Sequence, residues 1–295
     1  MTITVLGASG KTGGAVAGRL LAAGVSVRAV ARSRDRLASL TAKGAAAVAA
    51  DIADAGALAR ALEGSDAVYA MIPGDYTRPD LLGQYARGAS GIAGAIRAAR
   101  VRRVVFLSSL GAELPSGTGP IAGLHCAEQA LRAIPGLELL VLRPGYFYEN
   151  QYGTLGLIKQ QGINGGAIAP DAAMTMIAAR DIGEAAADAL LKNDFSGVRV
   201  RDMGGPRRLT MTEATRIIGR AIGKPDLPYV QFPPDGFVTG LKSNGFTDDA
   251  ARLFAEMSDA FNRGLIKPQP GNDFVSTPTT FEAFAEEFAR AFQAA

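Results

Sequence analysis

Short apolar runs alternate with amphipathic stretches along the first half of the chain. The runs predict strands at residues 2–6, 25–31, 45–50, 66–72, 102–109 and 137–145. The stretches between them carry apolar residues at helical spacing and predict helices at 15–23, 34–40, 55–62, 79–100 and 124–134. Nearly continuous apolar strands that alternate with helices are typical of a parallel sheet covered on both faces. The pattern therefore predicts the α/β class with a doubly wound parallel sheet.

The regular alternation loosens after the sixth predicted strand. A glycine-rich stretch at 162–170 precedes a helix predicted at 181–191 and a short strand predicted at 198–200. We expect a Rossmann-type core that binds a dinucleotide over residues 1–150. Residues 151–295 are expected to form a smaller C-terminal helix-rich lobe that carries the substrate site, with some segments returning to the core.

Two threonines in the second half of the chain have the spacing of helix-capping residues. Thr210 is followed three residues later by Glu213, and Thr279 is followed three residues later by Glu282. A Ser or Thr with an acid at this distance forms a capping box. We therefore expect one helix to begin at Thr210 and run to Ile222, and the last helix to begin at Thr279.

Composition and charge exclude several classes of function. With 48% hydrophobic and 20% charged residues, the chain is typical of a soluble globular protein. The net charge of +3 is spread along the chain, and the short basic patches lack interleaved aromatic residues, so nucleic acid is not expected as a partner. No apolar run approaches the roughly 20 residues that span a bilayer, so no membrane segment is expected.

The single cysteine, Cys126, cannot form an internal disulfide, and the chain does not open with a leader pattern. Both observations favour a cytoplasmic protein. The helical surroundings of Cys126 predict a small core residue rather than a nucleophile, and no cluster of residues has metal-ligand spacing.

The stretch "GASGKTGG" at residues 7–14 lies between the first strand and the first helix. Glycines in such a turn allow close approach to the backbone, while free amides and the helix dipole favour negative charge. Its position at the first turn of a βαβ unit is where a dinucleotide pyrophosphate binds. The residues expected to form this cradle are Gly7, Ser9, Gly10, Lys11, Thr12 and Gly13.

The end of the second strand indicates which nicotinamide cofactor is bound. NAD sites usually place an acid there for the ribose 2′-hydroxyl, but this chain has Ala31 and Arg32, with no acid before Asp35. A guanidinium suits a 2′-phosphate. We therefore expect NADP, bound as NADPH, with Lys11 as a possible second positive charge. An exposed arginine at a helix start remains the alternative for Arg32.

The glycine spacing is G-x-x-G-x-x-G rather than G-x-G-x-x-G, and it resembles the short-chain dehydrogenase/reductase superfamily, specifically its atypical NmrA-like members. Further blocks resemble that family in the family's order. They are "DIADAGALARAL" (51–62), "VRRVVFLSSLGA" (101–112), "AEQAL" (127–131), "LRPGYFYEN" (142–150) and "PTTFEAF" (278–284).

The resemblance implies positions for the two ends of the cofactor. Asp51 and Ile52 would flank the adenine, although Asp51 could also cap a helix, and Ser108 with the "PGYF" segment would lie near the nicotinamide. Residues at the strand ends complete the expected cofactor site, because ligands of such sheets bind outside the carboxyl ends of the strands. These residues are Ile72, Pro73, Pro144, Gly145 and Tyr146.

The catalytic pair of the standard superfamily members is absent from the sequence. None of the seven lysines has a tyrosine four residues before it. No lysine occurs between Lys43 and Lys159, so the helix lysine of the K-x-x-x-E pattern found in some relatives is also missing. Leu124 stands in its place, four residues before Glu128.

Three residues are candidates for catalysis: His125, Tyr146 and Tyr148. His125 is the only histidine, and Glu128 at i+3 could raise its pKa. The two tyrosines could stack on a flat substrate or donate a hydrogen bond. The alternatives are a structural or exposed histidine, and rings that pack the two lobes together.

Two functions agree with these residues. One is an NADPH-dependent oxidoreductase for a small planar acceptor of the quinone, azo or enone type, in which positioning matters more than a dedicated acid. The other is a non-enzymatic NADP(H)-responsive regulator with a protein partner, as some NmrA-like proteins are.

Overall fold

The computed structural model describes residues 1–294. Its strands are β1 Thr2–Leu6, β2 Ser26–Ala31, β3 Ala46–Ala49, β4 Ala67–Ala70, β5 Arg103–Leu107, β6 Glu138–Pro144, β7 Tyr146–Phe147, β8 Asn164–Gly166, β9 Met174–Ile177, β10 Val198–Gly204, β11 Arg208–Leu209, β12 Tyr229–Gln231 and β13 Asp273–Ser276. Its α-helices are α1 Lys11–Ala22, α2 Ala38–Thr41, α3 Ala55–Leu62, α4 Leu81–Ala98, α5 Ile121–Arg132, α6 Leu155–Gln161, α7 Ala179–Lys192, α8 Met211–Ala221, α9 Pro234–Ser243, α10 Asp248–Asn262 and α11 Phe281–Ala294.

The main sheet has the strand order β13-β10-β6-β5-β4-β1-β2-β3. Every neighbouring pair in it is parallel. The predicted doubly wound Rossmann-type sheet is therefore confirmed. The strand order reverses between β4 and β1, which places a crevice for ligands above the carboxyl ends of these strands.

Apolar side chains leave both faces of the sheet, as the continuous apolar runs predict. In β5, Val105 and Leu107 pack in one cluster with residues of α1 and α7. Val104 and Phe106 point the other way, into a cluster with residues of α4 and α5. This alternation follows from the two-residue period of a strand, and it buries the sheet between two helical layers.

Two helices begin earlier than predicted. Helix α1 begins at Lys11 instead of residue 15, so its first turn lies inside the glycine-rich stretch. Helix α5 begins at Ile121 instead of residue 124. Glycine disfavours helix interiors by about 1 kcal/mol relative to alanine, and the sequence prediction therefore placed both starts after Gly14 and Gly123. Packing overrides that local preference here, since a Cβ at Gly123 would fall on the Tyr85 ring.

The chain returns to the main sheet twice after β6. Strand β10 pairs with β6, and it runs on to Gly204, well beyond the predicted 198–200. Strand β13 pairs with β10 at the edge of the sheet. The prediction of β10 stopped early because Arg201 and Asp202 interrupt its apolar pattern. Asp202 is nevertheless fully buried.

The two capping predictions had different outcomes. At α8 the capping box between Thr210 and Glu213 is confirmed. At α11 the predicted box is wrong by one residue, because Thr280 accepts the hydrogen bond from the Ala283 amide at 3.1 Å. The Thr279 hydroxyl instead donates to the buried carboxylate of Asp181 at 2.6 Å. The sequence cannot tell which of two consecutive threonines caps the helix. Asp181 on α7 decides it here, because it binds the Thr279 hydroxyl and leaves Thr280 to cap α11.

The prediction that Cys126 is a core residue is wrong. Its side chain is exposed on α5, since the buried face of this helix carries Ala127 and Leu131. Within residues 1–294, every helix falls short of the length and apolar character needed to cross a membrane.

Candidate functional site

The residues predicted from the strand ends lie along one edge of the sheet, because parallel strands all end on the same side. Residues at or just beyond these ends are Gly7, Arg32, Asp51, Ile72, Pro73, Ser108, Pro144 and Gly145. The glycine turn follows β1 and lies at the strand-order reversal. Arg32 and Asp51 are on one side of it, and Pro73 and Ser108 are on the other.

Two positions in the turn strongly favour glycine. Gly7 has φ +66°, and a Cβ there would lie 2.6 Å from the Met71 sulfur. A Cβ at Gly13 would overlap the carbonyl oxygen of Gly7. The first glycine therefore makes the tight turn, and Gly13 lets α1 pack directly against it, which is how glycines act in dinucleotide-binding turns.

The turn presents backbone amides to a ligand. The Gly10 amide donates to the Gly7 carbonyl oxygen at 2.9 Å and closes the turn. Gly10 then caps α1, so no Ser, Thr or Asp side chain competes for the first amides of the helix. These amides have no acceptor inside the helix, and the helix dipole adds partial positive charge. The cradle therefore fits a pyrophosphate group.

Lys11, the first residue of α1, makes a contact that the sequence did not predict. Its Nζ lies 4.3 Å from the centroid of the Tyr152 ring. Burial raises the pKa of Glu149, and the nearby charge of Lys11 partly offsets that rise. Tyr152 and Glu149 both follow β7 in the chain, so Lys11 connects the glycine turn to the C-terminal lobe.

The adenosine side of the edge holds Arg32, Asp51 and Ile52. Arg32 is exposed directly after β2. The pKa of Asp75 is lowered mainly by its hydrogen bond with the Thr77 hydroxyl, and the charge of Arg32 adds a smaller effect in the same direction. Asp51 accepts a hydrogen bond from the Ala53 amide at 2.9 Å, which organises the turn before α3. The Ile52 and Ile72 side chains both pack against Gly88 of α4, where an added Cβ would lie 3.0–3.1 Å from each of them. The two isoleucines are therefore neighbours.

The loop after β4 is fastened to the segment in which α10 begins. The Thr247 amide donates to the Tyr76 carbonyl oxygen at 2.9 Å, and the Leu81 amide donates to Asp249 Oδ2 at 2.9 Å. The Tyr76 ring stacks on Phe246 with centroids 5.3 Å apart. The start of α10 is thereby held next to the loop that begins at Ile72 and Pro73.

A buried ion pair under the site was not predicted from the sequence. Arg143 binds Glu128 through two hydrogen bonds of 2.8 and 2.7 Å, and the Ser108 hydroxyl donates to the same carboxylate at 2.6 Å. Glu128 is 1% exposed and Arg143 is 6% exposed. The pair joins the ends of β5 and β6 to α5. The Glu128 carboxylate is therefore directed to Arg143 and Ser108.

A second group of carboxylates extends this network. Glu113 accepts a hydrogen bond from Arg143 at 3.1 Å and another from the Gln269 amide group at 2.7 Å. Asp202 accepts from the Gln269 backbone amide at 2.7 Å and from Asn272 at 3.1 Å. Burial raises the pKa of both carboxyl groups. The segment after α10 is therefore tied across the ends of β6 and β10.

His125 is half-buried on α5, and its Nδ1 lies 2.9 Å from the carbonyl oxygen of Ala112. Because a carbonyl oxygen only accepts, Nδ1 carries the proton in this contact. The nitrogen left to exchange a proton is Nε2. The preceding residue, Leu124, packs against the apolar clusters instead of supplying an ammonium group.

The candidate role of Tyr148 in catalysis is contradicted by its position. The ring is 1% exposed and meets the Phe281 ring edge-on, with centroids 5.0 Å apart. The hydroxyl donates to the Thr279 carbonyl oxygen at 3.2 Å. A 3₁₀ turn begins at Tyr148 and directs the side chain into the C-terminal lobe. Tyr148 therefore packs against Phe281 and Phe284 of α11.

Tyr146 remains at the edge of the sheet, directly after Pro144 and Gly145. Burial raises the pKa of Tyr146 to about 12, against the smaller lowering effect of a hydrogen bond with the Asn150 side chain. A phenol is protonated at neutral pH even at its ordinary pKa of about 10. The Tyr146 ring meets Phe261 of α10 edge-on, with centroids 5.8 Å apart. A half-buried aromatic ring with a protonated hydroxyl can support a flat ligand.

Comparison with known proteins agrees with this geometry. The model of a family described as NAD(P)H-binding matches residues 7–193. The chain is 34% identical to a (4-alkanoyl-5-oxo-2,5-dihydrofuran-3-yl)methyl phosphate reductase of Streptomyces griseus, over 89% of this chain and 88% of that protein.

Solved structures share the fold over nearly the whole chain. An NADPH-dependent quinone oxidoreductase of Escherichia coli, solved with NADPH, has a TM-score of 0.81 at 24% identity, covering 98% of this chain and 99% of that one. The negative transcriptional regulator NmrA, solved with NAD, has a TM-score of 0.72 at 17% identity, covering 99% and 97%.

Proposed function

The chain belongs to the NAD(P)H-binding family, and from this membership we propose that it is an NADPH-dependent reductase of small, planar, electron-poor acceptors. The acceptors are conjugated carbonyl compounds of the quinone or enone type, with azo compounds as a related class. One observation carries the proposal: the glycine cradle and the protonated, half-buried Tyr146 share one edge of the sheet, while Leu124 stands where a catalytic lysine would be.

The strand order supports a definite orientation of the cofactor. The cradle from Gly7 to Gly13 would hold the pyrophosphate, with the adenosine half over β2 and β3. Arg32 would bind the 2′-phosphate there, and Asp51 would lie by the adenine. The nicotinamide half would extend over β4 to β6, near Ser108 and Tyr146. When bound, the reduced nicotinamide supplies a hydride.

The chain's own residues would position the acceptor and manage one proton. Tyr146 would contact the acceptor ring and donate a hydrogen bond to its oxygen, which takes on negative charge during reduction. His125 Nε2, left free by the bond from Nδ1 to Ala112, would exchange the proton with water. Conjugated acceptors need little more than this, because their reduced oxygen is a weaker base than an alkoxide.

The relatives support the same class of acceptor. The Streptomyces griseus reductase has a name that describes an oxo-dihydrofuran bearing an alkanoyl group, which is a conjugated carbonyl compound. The Escherichia coli enzyme is a quinone oxidoreductase. Both classes place an electron-poor ring next to a carbonyl oxygen, and such a ring suits the aromatic surface at Tyr146.

A second function is favoured by one feature: residue 124 is a leucine, whereas some members of the family have a lysine at this position. An NmrA-type regulator would bind NADP(H) and respond to it without turnover, and NmrA shares the fold. In this alternative the cofactor would change contacts with a partner protein. Turnover separates the two proposals.

We expect acceptor-dependent oxidation of NADPH, measured by absorbance at 340 nm with 1,4-naphthoquinone, an enone lactone such as 2(5H)-furanone, and an azo dye. Hydride transfer needs only correct placement of the two rings, so activity with at least one conjugated acceptor is expected. Fluorescence titration of NADPH serves as the independent measure of cofactor binding. Tight NADPH binding with no turnover on any acceptor would favour the regulator instead.

Arg32→Ala is expected to weaken NADPH binding by about tenfold or more and to leave NADH binding unchanged. A charge-assisted hydrogen bond to the 2′-phosphate contributes about 1.5–3 kcal/mol, and each 1.4 kcal/mol is about tenfold in affinity. Fluorescence titration with both cofactors measures the effect. Arg36→Ala is the control, since Arg36 is also exposed but lies in the 3₁₀ turn Asp35–Leu37, farther from the strand end than Arg32. An equal loss for NADPH and NADH would contradict the assignment.

A further inference from the structure

Lys11 places a positive charge next to the pyrophosphate cradle. It is the first residue of α1, so its backbone amide is one of the amides that the cradle presents. The ammonium group is joined to this backbone by a four-carbon stem, and it therefore stays close to the cradle in any rotamer. The side chain is exposed, so its charge is open to a ligand bound there.

The ring of Tyr152 fixes the direction in which this ammonium group points. Lys11 Nζ lies 4.3 Å from the ring centroid, within the distance of about 6 Å at which a cation and a ring face attract each other. Tyr152 follows β6 and β7, whereas Arg32 follows β2, and β1 with its glycine turn lies between β6 and β2 in the sheet. The charge of Lys11 is therefore turned to the side of the cradle away from Arg32.

Tyr152 is held in place from two directions. Its ring stacks on Phe288 of α11 with centroids 5.6 Å apart, and it meets Phe284 edge-on at 5.5 Å. The 3₁₀ turn that carries Tyr152 is also fastened to the start of α7, because both carboxylate oxygens of Glu149 accept from the Ala179 amide at 3.0 Å. The ring therefore has little freedom to move.

Helix α7 in turn packs directly on the first turn of α1. A Cβ at Gly183 would lie 2.5 Å from the Ala15 Cβ and 2.8 Å from the Thr12 carbonyl oxygen. The contacts thus run from the cradle through α1, α7 and the 3₁₀ turn to Tyr152, and back to Lys11. The distance between the Tyr152 ring and the cradle is set by the fold, although the lysine side chain itself is flexible.

We propose that Tyr152 is a positioning residue of the cofactor site, whose ring holds the Lys11 ammonium group beside the pyrophosphate. The inference rests on the cofactor orientation in the proposed function, and it adds a residue of the C-terminal lobe to cofactor binding. The pyrophosphate is common to NADPH and NADH, so this charge favours both cofactors equally, whereas Arg32 would act on the 2′-phosphate alone. A lysine that is already held costs less ordering when the ligand binds.

The test measures NADPH and NADH binding by fluorescence titration in wild type and three variants. Lys11→Met is expected to weaken both cofactors by about fivefold, as one partly exposed charge pair contributes, and to reduce the dependence of affinity on NaCl, because salt screens the charge that is removed. Tyr152→Leu is expected to weaken both by about two- to fivefold, the range of an exposed cation–ring contact. Tyr152→Phe keeps the ring and is expected to restore most of the affinity.

The double variant Lys11→Met with Tyr152→Leu separates positioning from a structural role. Once the ammonium group is gone, loss of the ring is expected to cause no further loss of affinity, whereas a structural role would add a loss of its own. Lys159→Met is the matched control, because Lys159 Nζ lies 5.1 Å from the Phe292 ring, a similar contact outside the cradle, and cofactor binding is expected to stay unchanged. Thermal melting confirms that each variant is folded, and Tyr152→Met replaces the leucine variant if that one does not fold.

Binding is measured without an acceptor, so the inference is tested even if the protein reduces no acceptor and the proposed function is wrong. Wild-type affinity in a folded Tyr152→Leu variant would overturn the inference, and so would additive losses in the double variant. An effect of Lys11→Met on NADPH alone would show that this charge faces the 2′-phosphate, which also contradicts the proposal. Failure of wild type to bind either cofactor would reject it together with the cofactor orientation.

Discussion

Gly13→Ala is expected to reduce NADPH affinity by about a hundredfold or more and to destabilise the protein. The added methyl group would overlap the Gly7 carbonyl oxygen, which is backbone and cannot swing aside. Forcing a methyl group into such a contact costs about 1–3 kcal/mol. Relief requires α1 to move away from the turn. The displaced amides are the ones proposed to hold the pyrophosphate, and losing one or two charge-assisted hydrogen bonds at about 1.5–3 kcal/mol each gives the predicted loss.

Gly18→Ala provides the control on the same helix. A Cβ at Gly18 meets nothing within 4 Å, so alanine is expected to stabilise α1 by about 0.5–1 kcal/mol and to leave NADPH binding unchanged. Fluorescence titration and thermal melting of both variants give the comparison. Wild-type NADPH affinity in Gly13→Ala would show that this turn does not hold the phosphates.

Arg143→Met is expected to lower the free energy of unfolding by about 3–5 kcal/mol. Glu128 is 1% exposed and receives two hydrogen bonds from Arg143. Removing one partner of a buried pair leaves the other charge without compensation, which is the costly case. The Ser108 hydroxyl and the longer contact with the half-exposed Arg132 do not replace the guanidinium. Urea unfolding at neutral pH, followed by circular dichroism, measures the loss.

Two further variants test the cause. Arg132→Ala removes a longer contact to Glu128, 3.4 Å, from a side chain that is 31% exposed, and it is expected to cost less than about 1 kcal/mol. The double variant Glu128→Met with Arg143→Met removes both charges and is expected to recover most of the stability lost in Arg143→Met, as apolar replacements of buried pairs often do. An Arg143→Met variant as stable as wild type would mean that the ion pair does not stabilise the fold.

The sequence predicted the sheet and the cradle because both depend on local patterns. Apolar runs of strand length that alternate with helices, such as residues 102–109, favour buried strands, and a glycine turn directly after the first strand favours a phosphate-binding turn. The absence of a Tyr-x-x-x-Lys pair could also be established from the sequence, because it depends only on the spacing between tyrosines and lysines along the chain. The residues at the carboxyl ends of the strands could therefore be predicted from the chain, but the contacts that distant segments make with them could not.

Contacts between distant segments could not be predicted in this way. Glu128 resembles an ordinary helix-surface residue until β6 places Arg143 beside it. Phe261 lies outside the sequence blocks that resemble the family, so nothing linked it to Tyr146. For Cys126 a signal existed: Ala127 and Leu131 define the buried face of α5 at a spacing of four, and Cys126 falls outside it.

The return of the chain to its sheet sets an order of events during synthesis. Strands β1 to β6 leave the ribosome first, whereas β10 follows only at Val198 and β13 at Asp273. Domains begin to fold from the N-terminal side as they are made. Until β10 arrives, β6 is an open edge with unpaired backbone groups, and such edges pair readily with other chains. A ribosome that stalls before Val198 would therefore release a nascent chain prone to aggregate through β6.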